Sequence, residues 1–119
     1  MQCLLLSPDL MFSSRVLGAA KSIGLPLKIV PVITGLAGSL TAETRLLIID
    51  LTIPALDLVQ IMQSVREQSP SARVIAFGPH VDEAALAAAG AAGCEVMTRG
   101  QFQREYAALL QAAKEPTAG

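Results

Sequence analysis

The run Arg45-Leu46-Leu47-Ile48-Ile49-Asp50-Leu51-Thr52-Ile53-Pro54 constrains this chain more than any other stretch. Four aliphatic residues, two of them β-branched, follow one another without a polar interruption and end on an aspartate. A strand with one wet face alternates apolar and polar side chains. A strand that is apolar on both faces needs cover on both, as in a parallel sheet held between helical layers. Asp50 then stands at the carboxyl end of that strand, the edge where open α/β sheets collect ligands and chemistry.

The flanking chain supplies the cover. Residues 3–6 read as a short buried strand, stopped by Ser7-Pro8-Asp9, where Asp9 or Ser7 can cap a helix over 10–22. Met11, Phe12, Val16, Leu17 and Ala20 recur there at helical spacing, and Gly24 and Pro26 end the helix. Residues 27–32 are β-rich, but Pro31 has no N–H to give to a ladder, so this strand should lie at an edge or break at that point. Residues 33–42 hold two glycines and several hydroxyl side chains and predict a loop with at most a short, irregular helix. Leu58, Ile61, Met62 and Val65 form the stripe of a helix over 56–68. Residues 73–77 are a second buried strand, ended by Gly78-Pro79. An alanine-rich helix follows over 82–92, closed by Gly93. A last strand spans 94–99 and is turned by Gly100. The final helix, 101–114, places Phe102, Tyr106, Leu109, Leu110 and Ala113 on one face.

The order β-α-β-(α)-β-α-β-α-β-α predicts an α/β, flavodoxin-like fold. Its five parallel strands should run in the order 2-1-3-4-5, with right-handed crossovers and helices on both faces. Residues 1–114 are expected to form one domain, followed by a disordered tail over 115–119.

Composition narrows the function. With 52% hydrophobic and 16% charged residues the chain is richer in apolar groups than an average soluble domain, which excludes disorder and leaves apolar surface for a partner. The net charge of −1, from few and scattered basic residues, gives no footprint for nucleic acid. No apolar run approaches the roughly 20 residues that cross a bilayer. The opening Met1-Gln2-Cys3-Leu4-Leu5-Leu6 lacks the basic start and the length of a signal peptide, so a cytoplasmic protein without membrane contact is expected. Cys3 and Cys94 lie in apolar segments and read as buried, reduced thiols, and no ligand type adjoins His80 to suggest zinc. His80 and Asp82 could suggest acid–base work, but no nucleophile accompanies them, and Asp82 suits a helix cap better. The Gly35-x-x-Gly38-Ser39 loop lacks the Lys-Ser/Thr of a phosphate-binding loop.

Taken in order and at this spacing, several pieces resemble the CheY-like receiver domain of bacterial two-component response regulators. They are Asp50 ending the third strand, Pro54 soon after it, Arg73-Val74-Ile75-Ala76-Phe77 as the fourth strand, and Ala89-Gly90-Ala91-Ala92-Gly93-Cys94 ahead of the fifth. The resemblance runs from about Gln2 to Ala113. It implies that Asp50 occupies the position of the phospho-acceptor. In the family, two acidic residues after the first strand hold magnesium together with that aspartate, because hard oxygen ligands neutralise the phosphoryl oxygens. The matching pair here is Ser7 and Pro8. Asp9 comes one residue late and is expected to point into the start of the following helix. The Thr or Ser that grips the phosphoryl group falls on Gly78, which has no hydroxyl. The family's lysine falls on Gly100, and a one-residue shift brings in Arg99, a cation suited to pairing with Asp50. The aromatic switch position falls on Val96 or Met97.

These departures imply a pseudo-receiver. The expectation is a non-enzymatic signal-transduction module without catalytic residues, metal or other cofactor, acting through protein contact and independently of phosphorylation. Its partner, a second protein or a second copy, would dock on the family's fourth-helix/fifth-strand/fifth-helix face. That face comprises the helix over 82–92, the fifth strand and the last helix, including Ala84, Ala88, Ala91 and Met97. Alternating readings are a phospho-accepting receiver that uses Asp50, with magnesium, and a flavodoxin-like domain binding a small ligand beside Ser7, Gly78 and Pro79.

Overall fold

The computed structural model describes residues 2–114. The expected tail over 115–119 lies outside the described residues. Five strands, β1 (Gln2–Leu6), β2 (Leu27–Val30), β3 (Thr44–Asp50), β4 (Arg73–Gly78) and β5 (Glu95–Thr98), alternate with four helices, α1 (Leu10–Ser22), α2 (Leu58–Gln68), α3 (Glu83–Ala91) and α4 (Arg99–Lys114). All strand pairs are parallel, and the order across the sheet is β2-β1-β3-β4-β5.

The unbroken apolar runs bury on both sides, as a central parallel strand must. Cys3, Leu5, Leu46, Ile48, Ile75 and Phe77 face α1 and α4, where they pack with Phe12, Val16, Ala20, Phe102 and Leu110. Their alternate neighbours Leu4, Leu6, Leu47, Ile49, Val74 and Ala76 pack with Ile61, Met62 and Val65 of α2 and Ala89 of α3. Each full burial of a Leu, Ile or Phe side chain contributes about 1.5–3 kcal/mol, so these two layers are the main source of stability. Cys3 and Cys94 belong to opposite layers and are free, and burial pushes the Cys3 thiol up to about 11 and raises that of Cys94. Neither is a nucleophile at neutral pH.

β2 pairs with β1 at the edge of the sheet and also stops at Val30, directly before Pro31, so both expected effects of the proline are present. The connection from β2 to β3 contains only a 3-10 turn, Ile33–Gly35. Leu36 and Leu40 from this connection fill the layer on that side. Helix α2 begins at Leu58, the first residue of the apolar stripe, with Asp57 as its cap, two residues later than the expected start at 56. The residues before it are in turns, and Ala55 has φ of 58°.

That left-handed φ at an alanine costs roughly 1–2 kcal/mol. Glycine would relieve it and give back about 0.4–1 kcal/mol through the greater freedom of the unfolded chain. Ala55→Gly is therefore expected to raise stability by about 0.5–1 kcal/mol. Urea unfolding followed by circular dichroism measures it; a lower midpoint would show that the Ala55 methyl makes contacts worth more than the strain.

Candidate functional site

Asp50 ends β3 and lies beside Phe77 of β4 in register, while Leu6 of β1 pairs with Ile49. Ser7, one residue past β1, therefore stands next to Asp50 across the sheet. The Ser7 hydroxyl donates to Asp50 Oδ2 at 2.8 Å. The Thr52 backbone N–H and hydroxyl donate to Oδ1 at 3.0 and 2.7 Å. The N–H bond back to a side chain two residues earlier is an Asx-turn, the local geometry an aspartate offers a chain leaving a strand. Both Asp50 oxygens are thus engaged, and the residue has 0% exposure.

Arg99 does not pair with Asp50. Its Nη2 donates to Asp9 Oδ2 at 2.8 Å, and its guanidinium lies 5.5 Å from the Phe12 ring centroid. The reason is the start of α4. Thr98 and Gln101 form a reciprocal cap: Gln101 N–H donates to the Thr98 hydroxyl at 3.2 Å, and Thr98 N–H donates to Gln101 Oε1 at 2.9 Å. This is the Ser/Thr-x-x-Glu/Gln capping box, and it makes Arg99 the first helical residue instead of the last strand residue. Gly100, read from the sequence as a turn, is inside the helix. The capping-box spacing Thr98-x-x-Gln101 was the available signal.

Asp9 is the cap of α1, as its position predicts: its Oδ1 accepts from Phe12 N–H at 3.0 Å. That bond, followed by the Arg99 side chain, holds the Asp9 carboxyl below its ordinary range. Asp9 N–H in turn donates to the Ser7 hydroxyl at 3.2 Å. One connected set of bonds therefore runs from Arg99 through Asp9 and Ser7 to Asp50. Below it the Phe77 and Phe102 rings stack with centroids 4.4 Å apart, and Phe12 packs edge-on against Phe102 at 5.7 Å.

Gly78 leaves no open space at the family's hydroxyl position. A Cβ there would lie 3.2 Å from Leu51 Cβ and 3.4 Å from Leu51 Cδ1. Ser7 and Gly78, expected to line a ligand pocket with Pro79, are both buried. Asp82 caps α3 by accepting from Ala85 N–H at 3.2 Å, and His80 is exposed.

These residues do not fit magnesium. Hard-cation sites need several carboxylate or carbonyl oxygens turned to one point. Pro8 is exposed and has no side-chain ligand, Asp9 is committed to its cap and to Arg99, and Asp50 is sealed by hydroxyl and amide donors. No group of three or more His, Cys, Asp or Glu among the described residues is arranged to hold a metal. Of the expected pocket residues, Ser7 bonds to Asp50 directly, Asp9 and Arg99 are joined to it through Ser7, and Gly78 lies against Leu51. Thr52 and Leu51 were not anticipated as members, since an Asx-turn and a leucine folded over a neighbouring strand leave only a weak trace in sequence.

Removing the Ser7 hydroxyl strands one side of a buried carboxyl group and the Asp9 amide. Ser7→Ala is expected to lower stability by about 1.5–3 kcal/mol at unchanged m-value. A loss under about 0.5 kcal/mol in urea unfolding would show that the bond is dispensable.

No family model matches the chain, and no curated protein matches it in sequence. Solved structures match it closely in shape. The beryllofluoride-activated receiver domain dimer of NtrC4 superposes with a TM-score of 0.72 at 14% identity, covering 95% of this chain and 98% of that one. A response regulator receiver domain from Rhodospirillum rubrum gives 0.69 at 15% identity, covering 95% and 91%. A structure described as adenylate cyclase from Rhodopirellula baltica gives 0.72 at 13% identity, covering 94% and 85%. The chain has the CheY-like fold of response regulator receiver domains.

Proposed function

We propose that this chain is a receiver-like signalling module that acts by protein contact and not by accepting phosphate. One observation carries the reading: Asp50, at the phospho-acceptor position, has no exposed surface, and both its oxygens are held by Ser7 and Thr52. A phosphoryl donor must reach a carboxylate oxygen in line, with a cation to neutralise the developing charge. Here the oxygens are covered, the acidic pair is Ser7-Pro8, and Leu51 fills the space at Gly78. No residue of the site is arranged as a nucleophile with its base, so the module is read as non-enzymatic and without a cofactor.

The contact face is α3 with its neighbours. Ala89 points into the core, and Ala85 and Leu86 pack against it. Ala84, Ala87, Ala88 and Ala91, spaced i, i+3, i+4 and i+7, form an exposed stripe of small apolar side chains. Val81 at 76% and Val96 at 37% exposure add apolar surface at the start of α3 and on β5. Met97 is half-buried and packs towards α1 and α4, so it borders this face from the other layer. Small side chains let a second backbone approach closely, and no charge within the stripe opposes a second copy. The NtrC4 receiver described as a dimer offers a precedent for self-association of this fold. Among the described residues no helix is long and apolar enough to cross a membrane, and the proposed partner is protein, not lipid or nucleic acid.

Incubation with acetyl phosphate and magnesium is expected to leave the mass unchanged and the amide spectrum around residues 7–9 and 50–54 unshifted. Stoichiometric phosphorylation that disappears in Asp50→Asn would overturn the proposal in favour of a working acceptor.

Ala88→Glu puts a charge in the centre of the stripe. Glutamate is a good helix former, so stability should change by less than about 0.5 kcal/mol. Sedimentation across a concentration series is expected to show self-association of the wild type, weakened at least about tenfold in the variant. A wild type that stays monomeric throughout sinks the homomeric interface.

A further inference from the structure

We propose that the cleft between the β2–β3 connection and α2 is a binding site for a small molecule with a cationic amine on an apolar body. The cleft has a volume of about 410 Å³, within the range of small-molecule sites. It exists because the β2–β3 connection forms a three-residue 3-10 turn where a full crossover helix would cover this end of α2. Leu36 and Ile61, at 3% and 5% exposure, supply a buried apolar base. The site opens between segments that follow β2 and β3, the two strands flanking β1, at the carboxyl edge of the sheet.

The polar groups select the ligand. Asp57, Gln60 and Ser64 lie at i, i+3 and i+7 along α2, so one helix face lines the cleft with a carboxylate, an amide and a hydroxyl. Asp57 is the one ionisable residue in the lining. No lysine or arginine lines it to receive a phosphate or carboxylate, which disfavours nucleotides and other anions. The Gln60 N–H, which an anion would seek at a helix start, already donates to Asp57 Oδ1 at 3.1 Å. The cap uses Oδ1, and Oδ2 remains for an ammonium group. Ala55, with its φ of 58°, lines the same cleft, so the local backbone strain sits at this site and not at Asp50. The inference does not depend on the protein-contact reading, since the cleft lies on α2 and the proposed contact face on α3.

Three probes of matched size test it: 2-phenylethylamine, 2-phenylethanol and 3-phenylpropionate, titrated at neutral pH against the ¹⁵N-labelled chain. Saturable shifts are expected with the amine at Thr34, Ala37, Ala55, Gln60 and Ser64, weaker shifts with the alcohol, and none there with the carboxylate. Asp57→Asn keeps the helix cap, because Asn caps as well as Asp. It should weaken the amine by about tenfold, the loss of one charge-assisted bond. Ala37→Phe, placed at the exposed rim, should fill the cleft and abolish the shifts. The proposal is overturned by any of three results: no localised shifts with the amine up to about 10 mM, equal amine affinity in Asp57→Asn, or binding that survives Ala37→Phe.

Discussion

A carboxyl group with no access to water must be satisfied by its neighbours, and that requirement organises the carboxyl edge of this sheet. Asp50 takes its donors from Ser7 on the adjoining strand and from Thr52 two residues ahead. The first ties β1 to β3 beyond the last backbone pair. The second bends the chain as it leaves β3. Because Ser7 also accepts from Asp9, the start of α1 is fixed to the same group, and through Asp9 so is the start of α4. Leaving a buried donor or acceptor unpaired costs about 1–3 kcal/mol, so each link in this set supports the next.

The fold was largely legible in the sequence because two-sided burial writes itself as uninterrupted apolar runs. Leu46 to Ile49 and Val74 to Phe77 could be little else, and Pro31 marked the edge strand. Helix caps at Asp9 and Asp82 were equally readable, because a cap is a local arrangement. The site was legible only as a location. Which groups meet at a sheet edge depends on register to a single residue, and the end of β5 turned on whether Gly100 broke the chain or continued it. Glycine is costly inside a helix, by about 1 kcal/mol, which favoured reading it as a turn. The capping box from Thr98 to Gln101 outweighs that cost and starts α4 two residues earlier than expected, with Arg99 on Asp9 and not on Asp50. Leu51 over Gly78 and the left-handed Ala55 are tertiary outcomes with no comparable pattern in the sequence.

The two helical layers are unequal. On one side α1 and α4 cover the sheet with interlocked aromatic rings. On the other, α2 and α3 share the task with a connection that is mostly turn. Leu36 and Leu40 plug the layer, but two side chains cannot reproduce the outer surface of a helix. The cleft on α2 follows from this shortfall. The alanine face of α3 has a separate origin: after Glu83, small side chains on every side leave the helix no polar side chain to present to water.

The charge at the edge explains why an aspartate can persist there without a metal. Three carboxylates converging on one point repel one another strongly unless a divalent cation intervenes. The two acidic side chains joined at this edge, Asp9 and Asp50, are separated in role. Asp9 is balanced by Arg99 and by the positive end of α1. Asp50 is shielded by hydroxyl and amide donors and contributes its acceptors to the strand ends. A magnesium ion would have to displace Ser7 and Thr52 from Asp50, and draw Asp9 away from a guanidinium and a helix start. It would gain no third carboxylate in return. The same residue type at the same place in the fold thus favours a rigid edge over an ion-binding one.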